Sequence, residues 1–134
     1  SSDDRRAFAR LRPLLDATPY NPPRVRAVAR ADGTPEYEVR RLFKRLARAG
    51  ELYPVARGHY FTAEAVAELA VCVRRLNAEQ GAARAAAFRD RIYPDGGGGR
   101  KVAIQILEFF DRIGYTRRVR DEHLLSTSEG QLLW

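Results

Sequence analysis

VRRLFKRLARAGELYPVARGHYFT, residues 39–62, and AIQILEFFDRIGYTRRVRDEHLLS, residues 103–126, superpose without a gap at an offset of 64 positions. Arg48, Gly50, Val55 and His59 fall on Arg112, Gly114, Val119 and His123, and the apolar residues Leu42, Phe43 and Leu46 fall on Ile106, Leu107 and Phe110. Identities alone would be thin support, but an apolar pattern that superposes with them marks an internal repeat, each copy one supersecondary unit. Each copy reads the same way. An amphipathic helix stops at Gly50 or Gly114, suited to the left-handed position just past a helix end. Two short β-prone runs follow: Leu52–Val55 and His59–Thr62 in the first copy, Tyr115–Arg118 and His123–Leu125 in the second.

Outward from the repeat, helices are expected over about Arg5–Ala17 and Arg24–Ala31, separated by PYNPP, where proline interrupts the helix. The second copy is preceded by expected helices over Ala63–Gln80 and about Ala83–Arg91. Helix, helix, turn, helix, two-stranded hairpin is the order of a winged helix, whose third helix packs across the first two while the hairpin closes the core. The expected fold is therefore mainly α with small β-hairpins (α+β), in two tandem winged-helix domains, 1–62 and 63–134.

The 134 residues are 45% hydrophobic and 31% charged, a globular composition. No apolar run approaches a membrane span and the start SSDDRRAFAR lacks a signal-peptide core, so the chain reads as soluble and cytoplasmic, with no membrane partner. Cys72 stands alone, on a helical apolar pattern, as a small buried hydrophobe. With His59 and His123 the remaining candidates, no metal-ligand cluster can be assembled, and neither metal nor cofactor is expected. No nucleophile–base pair offers a catalytic residue, so the chain reads as a binding protein and not an enzyme.

The net charge of +7 points to an acidic partner, nucleic acid ahead of an anionic membrane. Residues 1–62 carry 13 cations against 7 acids and residues 63–134 carry 11 against 10, yet Arg84–Arg120 alone holds 9 against 4. Within that segment GGGGRK, Gly96–Lys101, feeds the start of an apolar helix. The opening amides of a helix have no intrahelical partner and sit at its positive end, which suits a phosphate. A P-loop is excluded because Val102, not Ser or Thr, follows Lys101, and a dinucleotide fingerprint because AAAFRDRIYPD, before the glycines, reads as helix and turn instead of strand.

FRDRIYPDGGGGRKVAIQILEFFDRIGYTRRVRDEHLL, Phe88–Leu125, closely resembles the end of the bacterial selenocysteine-specific translation elongation factor, in which FRDR, GRK, AIQILE and FDRIG recur in the last of four winged helices. From about Phe8 onward the chain resembles the family's third winged helix, by pattern more than identity. The resemblance implies that 1–62 and 63–134 are the third and fourth of these domains. It implies further that the fourth binds the hairpin in selenoprotein mRNA beside an in-frame UGA, the selenocysteine insertion element, and tethers the factor there. The GTPase and the pocket for selenocysteinyl-tRNA belong, on the same resemblance, to an N-terminal half outside this chain. Two departures stand out: IYPDGGGG occupies Ile92–Gly99 where the family pattern has LGVG, an insertion of four residues, and Arg120-Asp121-Glu122 replaces the family's Gly-Asn wing.

The residues expected to meet RNA follow from this layout. Gly98 and Gly99 offer free N–H groups, with Arg100 and Lys101 beside them as phosphate partners. Arg89 and Arg91 approach from the end of the preceding helix, and Arg120 from the wing. Arg117 and Arg118 occupy consecutive strand positions, so one is expected to face the core side and the other RNA. Gln105 lies on the outer face of the third helix. His123 is a candidate to stack on a base, although its match to His59 favours a structural role in the hairpin. Arg112 fits the negative end of its helix, and Ile106, Leu107, Phe110 and Ile113 are core by spacing.

The loop Ile92–Gly99 is expected to be mobile without RNA, and Leu132, Leu133 and Trp134 to dock on the second domain. The first domain's cations (Arg24, Arg26, Arg30, Arg40, Arg41, Lys44, Arg45) make ribosomal RNA its expected partner, and the chain is expected to act as a monomer. The rival readings are a tandem winged-helix DNA-binding regulator and a protein scaffold. Against DNA stand Glu108 and Asp111, two acids expected on the outer face of the third helix, where they would repel a groove's phosphates.

Overall fold

The computed structural model describes residues 1–126, so the expected docking of Leu132, Leu133 and Trp134 lies outside the described residues. The chain divides into two units, Ser1–Val66 and one beginning at Ala67.

The first unit consists of α1 (Ser2–Asp16), α2 (Val25–Asp32), α3 (Glu36–Arg48) and the antiparallel pair β1 (Leu52–Ala56) and β2 (His59–Thr62). Ser1 caps α1, its Oγ accepting the Asp4 N–H at 3.2 Å. Residues at helical spacing bury one stripe of each helix: Phe8, Leu11 and Leu15 of α1, Val25 and Val28 of α2, and Val39, Leu42, Phe43 and Leu46 of α3, with Leu52 and Tyr60 of the hairpin closing the core. A bulge between Pro54 and Ala56 leaves Val55 unmatched in the ladder.

The second unit takes most of α4 (Ala63–Gln80), then β3 (Ala83–Arg84), α5 (Ala85–Ile92), α6 (Arg100–Arg112), β4 (Thr116–Val119) and β5 (Glu122–Leu125). Phe88, Phe109, Phe110, Ile106 and Leu107 are fully buried, with Leu69 and Leu76 of α4 and the Tyr115 ring 5.2 Å from that of Phe110. The Tyr115 hydroxyl donates to the Ala70 carbonyl at 2.9 Å. The sheet is three-stranded, in the order β3-β5-β4. β3 was not expected from the sequence, because two residues carry no alternation; in the first unit its place is held by a single bond, from the Val25 N–H to the Gly58 carbonyl at 3.0 Å.

The repeat is visible in detail. Gly50 and Gly114 have φ of 79° and 84°, and in each case the next residue's N–H reaches five residues back, Glu51 to Leu46 and Tyr115 to Phe110. This six-to-one bond ends both α3 and α6. It also explains why β4 begins at Thr116 and not at the expected Tyr115, whose N–H is already committed to the helix end.

The two units differ in one connection. α2 and α5, eight residues each, align at an offset of 60, whereas α3 and α6 align at 64. The link is Gly33–Pro35 in the first unit and Tyr93–Gly99 in the second. The four extra residues can thus be read within this chain. Among the described residues no helix is long and apolar enough to cross a membrane.

Candidate nucleic-acid interface

The start of α6 has no side-chain cap, and Gly99 before it is extended, with φ −116° and ψ −176°. The helix begins at Arg100 after Gly99 as its N-cap, so the opening amides that no helix carbonyl takes are those of Gly99, Arg100, Lys101 and Val102. The Arg100 and Lys101 side chains are exposed, and neither has a carboxylate partner among the described residues.

Gly98 has a different task. A Cβ there would lie 2.5–2.8 Å from three ring carbons of Tyr93, so only glycine lets the chain cross the ring this closely. Tyr93 ends α5 and is itself buried, which pushes its hydroxyl up to about 12 and keeps it neutral. With the Gly96 N–H donating to the Tyr93 carbonyl at 3.1 Å, the loop folds over this ring and delivers the chain to α6.

Of the two arginines of FRDR, Arg89 bonds its neighbour Asp90 at 2.9 Å and Arg91 bonds Glu79 of α4 at 2.9 Å. Both are engaged within the protein, at surface pairs of the kind that exchange cheaply for a phosphate. On the wing, Arg117 and Arg118 are both exposed, contrary to the expectation that one would face the core: in β4 only Thr116 is buried. Arg118 Nε donates to the Arg120 carbonyl at 2.7 Å, and Arg118 also lies 3.9 Å from Glu108. Arg120 itself sits at the wing turn with φ 58°, left-handed for a residue with a Cβ. Arg100, Lys101, Arg117 and Arg120 are therefore exposed cations without an ion-pair partner among the described residues.

His123 is placed away from a base-stacking position and in the structural role within the hairpin that its match to His59 favours. It is 4% exposed, and its Nδ1 lies 2.9 Å from the Asp111 carboxylate, which also accepts the Thr116 hydroxyl at 2.7 Å. Asp111 thus serves the hairpin and is not an acid on the outer face of α6, so one of the two acids weighed against DNA is spent inside the protein. Gln105 is likewise half-turned inward, its Oε1 buried and without a partner. Asn77 of α4 completes the support: its amide donates to the His123 carbonyl at 3.2 Å and its Oδ1 accepts the Leu125 N–H at 3.2 Å.

Sequence reasoning missed Tyr93, Asp111, Thr116 and Asn77. For Asp111 and Thr116 a signal existed: the repeat places Ala47 and Leu52 opposite them, so a polar pair stands in the second unit where the first is apolar.

Comparison with known proteins places these features. The family described as elongation factor SelB, winged helix, matches residues 74–125. The chain is 38% identical over 125 residues, 93% of its length, to the selenocysteine-specific elongation factor of Escherichia coli. It is 29% identical over 101 residues, 75% of its length, to that of Haemophilus influenzae. It spans only 19% and 16% of those two proteins. The solved structure of the mRNA-binding domain of elongation factor SelB from E. coli, in complex with SECIS RNA, superposes with a TM-score of 0.80 at 38% identity, covering 93% of this chain and 98% of that one. With that identity across nearly the whole of a solved SelB domain, the chain belongs to the family of selenocysteine-specific elongation factors.

Proposed function

We propose that this chain is the part of a selenocysteine-specific elongation factor that holds the SECIS hairpin of a selenoprotein mRNA, and so tethers the factor beside the UGA codon in the cytoplasm. In this reading residues 1–62 and 63–134 are the third and fourth winged helices of the whole factor, and GTP hydrolysis and tRNA binding belong to the parts of its relatives that this chain does not match. The observation that carries it is the uncapped start of α6, with the exposed, unpaired Arg100 and Lys101, in the unit that the family match covers.

The chemistry fits a hairpin. Double-helical RNA hides its base edges in a deep, narrow groove, so a protein recognises its backbone geometry and the bases splayed from its loop. Arg100, Lys101 and the opening amides of α6 take backbone phosphates. Arg117 and Arg120 on the wing supply a second line of contact, and Arg89 and Arg91 a third once Asp90 and Glu79 release them. The same reading leaves the first unit to meet ribosomal RNA. The test is binding of the whole chain to a loop-bearing SECIS hairpin, to the same stem closed without its loop, and to duplex DNA of equal length. The loop-bearing hairpin should bind tightest; equal binding to DNA would support the regulator reading instead.

A further inference from the structure

The first unit carries a cluster of cations that the hairpin contact does not use. In the repeat, Glu36 and Tyr37 stand where the second unit has Arg100 and Lys101, so the start of α3 cannot take phosphates as the start of α6 does. The arginines lie elsewhere. Arg57 is on the wing turn, and the bond from the Val25 N–H to the Gly58 carbonyl at 3.0 Å fixes Arg24, the residue before α2, beside that turn. Arg40 reaches across from α3, its guanidinium 3.8 Å from where a Gly58 Cβ would stand. Arg24, Arg26, Arg40 and Arg57 line one groove of about 230 Å³ with Glu36 and Gly58.

Four guanidinium groups face one carboxylate in that groove. Glu36 is bonded to Arg40 at 2.5 Å and lies 3.8 Å from Arg26, whereas Arg24 and Arg57 have no carboxylate partner among the described residues. Holding this many like charges together works against the fold and calls for an anion. No aromatic ring lines the groove, so it offers nothing for a base to stack on. Its volume is also below the roughly 300–1,000 Å³ of small-molecule pockets. What it matches is the fork geometry of guanidinium against phosphate oxygens.

We infer that this groove binds the backbone phosphates of double-helical RNA, through residues separate from those at the start of α6. The groove stands on its own geometry; that its ligand is RNA, and not another polyanion, rests on the proposed function. Arg24 and Arg57 are exposed, so Arg24→Gln with Arg57→Gln leaves the core untouched.

The experiment measures binding of the wild-type chain, this double variant and an Arg100→Ala, Lys101→Ala variant across a salt series, with a plain RNA duplex of about 16 base pairs and with the SECIS hairpin. The groove variant should lose about tenfold in duplex affinity, and its log–log salt slope should become shallower by about 1.8, two phosphate contacts' worth. The α6 variant should lose less duplex affinity than the groove variant does. Unchanged affinity and slope in the groove variant, or loss of duplex binding in the α6 variant alone, would overturn the inference. Failure of the hairpin reading would show separately, as a wild-type chain that does not prefer the hairpin over the duplex.

Discussion

The two units build one fold twice and equip it in opposite ways. At the first two positions of the third helix the first unit has Glu36 and Tyr37, the second Arg100 and Lys101. At the matched hairpin histidine the contrast is as sharp. His59 is fully buried, with Nε2–H donating to the Pro22 carbonyl at 2.6 Å and Nδ1 left without a partner, and burial lowers its pKa to about 4. His123 has a carboxylate against the same ring, because Asp111 and Thr116 replace Ala47 and Leu52. The fold is carried by apolar spacing and a glycine after the third helix; the few polar positions it does not need are where the units part.

The largest expected effect breaks what the units share. Phe110→Ala removes a fully buried ring from the position matched by Leu46, and should cost about 3–5 kcal/mol in urea unfolding. A fully stable variant would refute the core assignment. Next comes the polar pair peculiar to the second unit: Asp111→Ala leaves the His123 ring and the Thr116 hydroxyl without their acceptor, at about 1–3 kcal/mol each, so a loss of about 3 kcal/mol is expected. A loss under half of that would mean that solvent replaces the carboxylate.

His59 makes the stability of the first unit depend on pH. With its folded pKa near 4 against an unfolded value near 6.5, the folded chain refuses a proton that the unfolded chain accepts between those values. Its contribution is whole above pH 6.5 and is lost as pH falls toward 4, amounting to about 2 kcal/mol between pH 7 and pH 5. A His59→Gln variant should lack that part of the pH dependence; equal pH dependence in both proteins would refute it. Ala47→Asp, which copies Asp111 into the first unit, should offer His59 an acceptor and flatten the dependence. The smallest effect is that of Gly98→Ala, whose new methyl group meets the Tyr93 ring: about 1–2 kcal/mol, within the usual range for overpacking. A neutral substitution would show that the loop does not depend on the ring.

How much of this was legible follows from where each feature gets its information. The helices, both hairpins and both glycine stops were readable because periodicity and Gly50 and Gly114 are local signals. Of the candidate site, Arg100 and Lys101 were readable because they sit beside a helix start. The crossing of Gly98 over Tyr93, five residues back, was not, because no periodicity marks the path of a loop; nor were two features that depended on partners farther off in sequence, the burial of His123 against Asp111 and the engagement of Arg91 by Glu79. β3 was lost for the same reason, since its two residues become a strand only by pairing with Glu122 and His123.

In the proposed function the start of α6, and not its counterpart in the first unit, grips the RNA. The salt dependence of SECIS hairpin affinity tests this, for the wild type, for Arg100→Ala with Lys101→Ala, and for Tyr37→Ala at the position that matches Lys101. The first pair of changes should make the log–log slope shallower by nearly two, at somewhat under one per lost phosphate contact, while Tyr37→Ala leaves affinity and slope as they are. An unchanged slope and affinity in the folded Arg100 and Lys101 variant would contradict it.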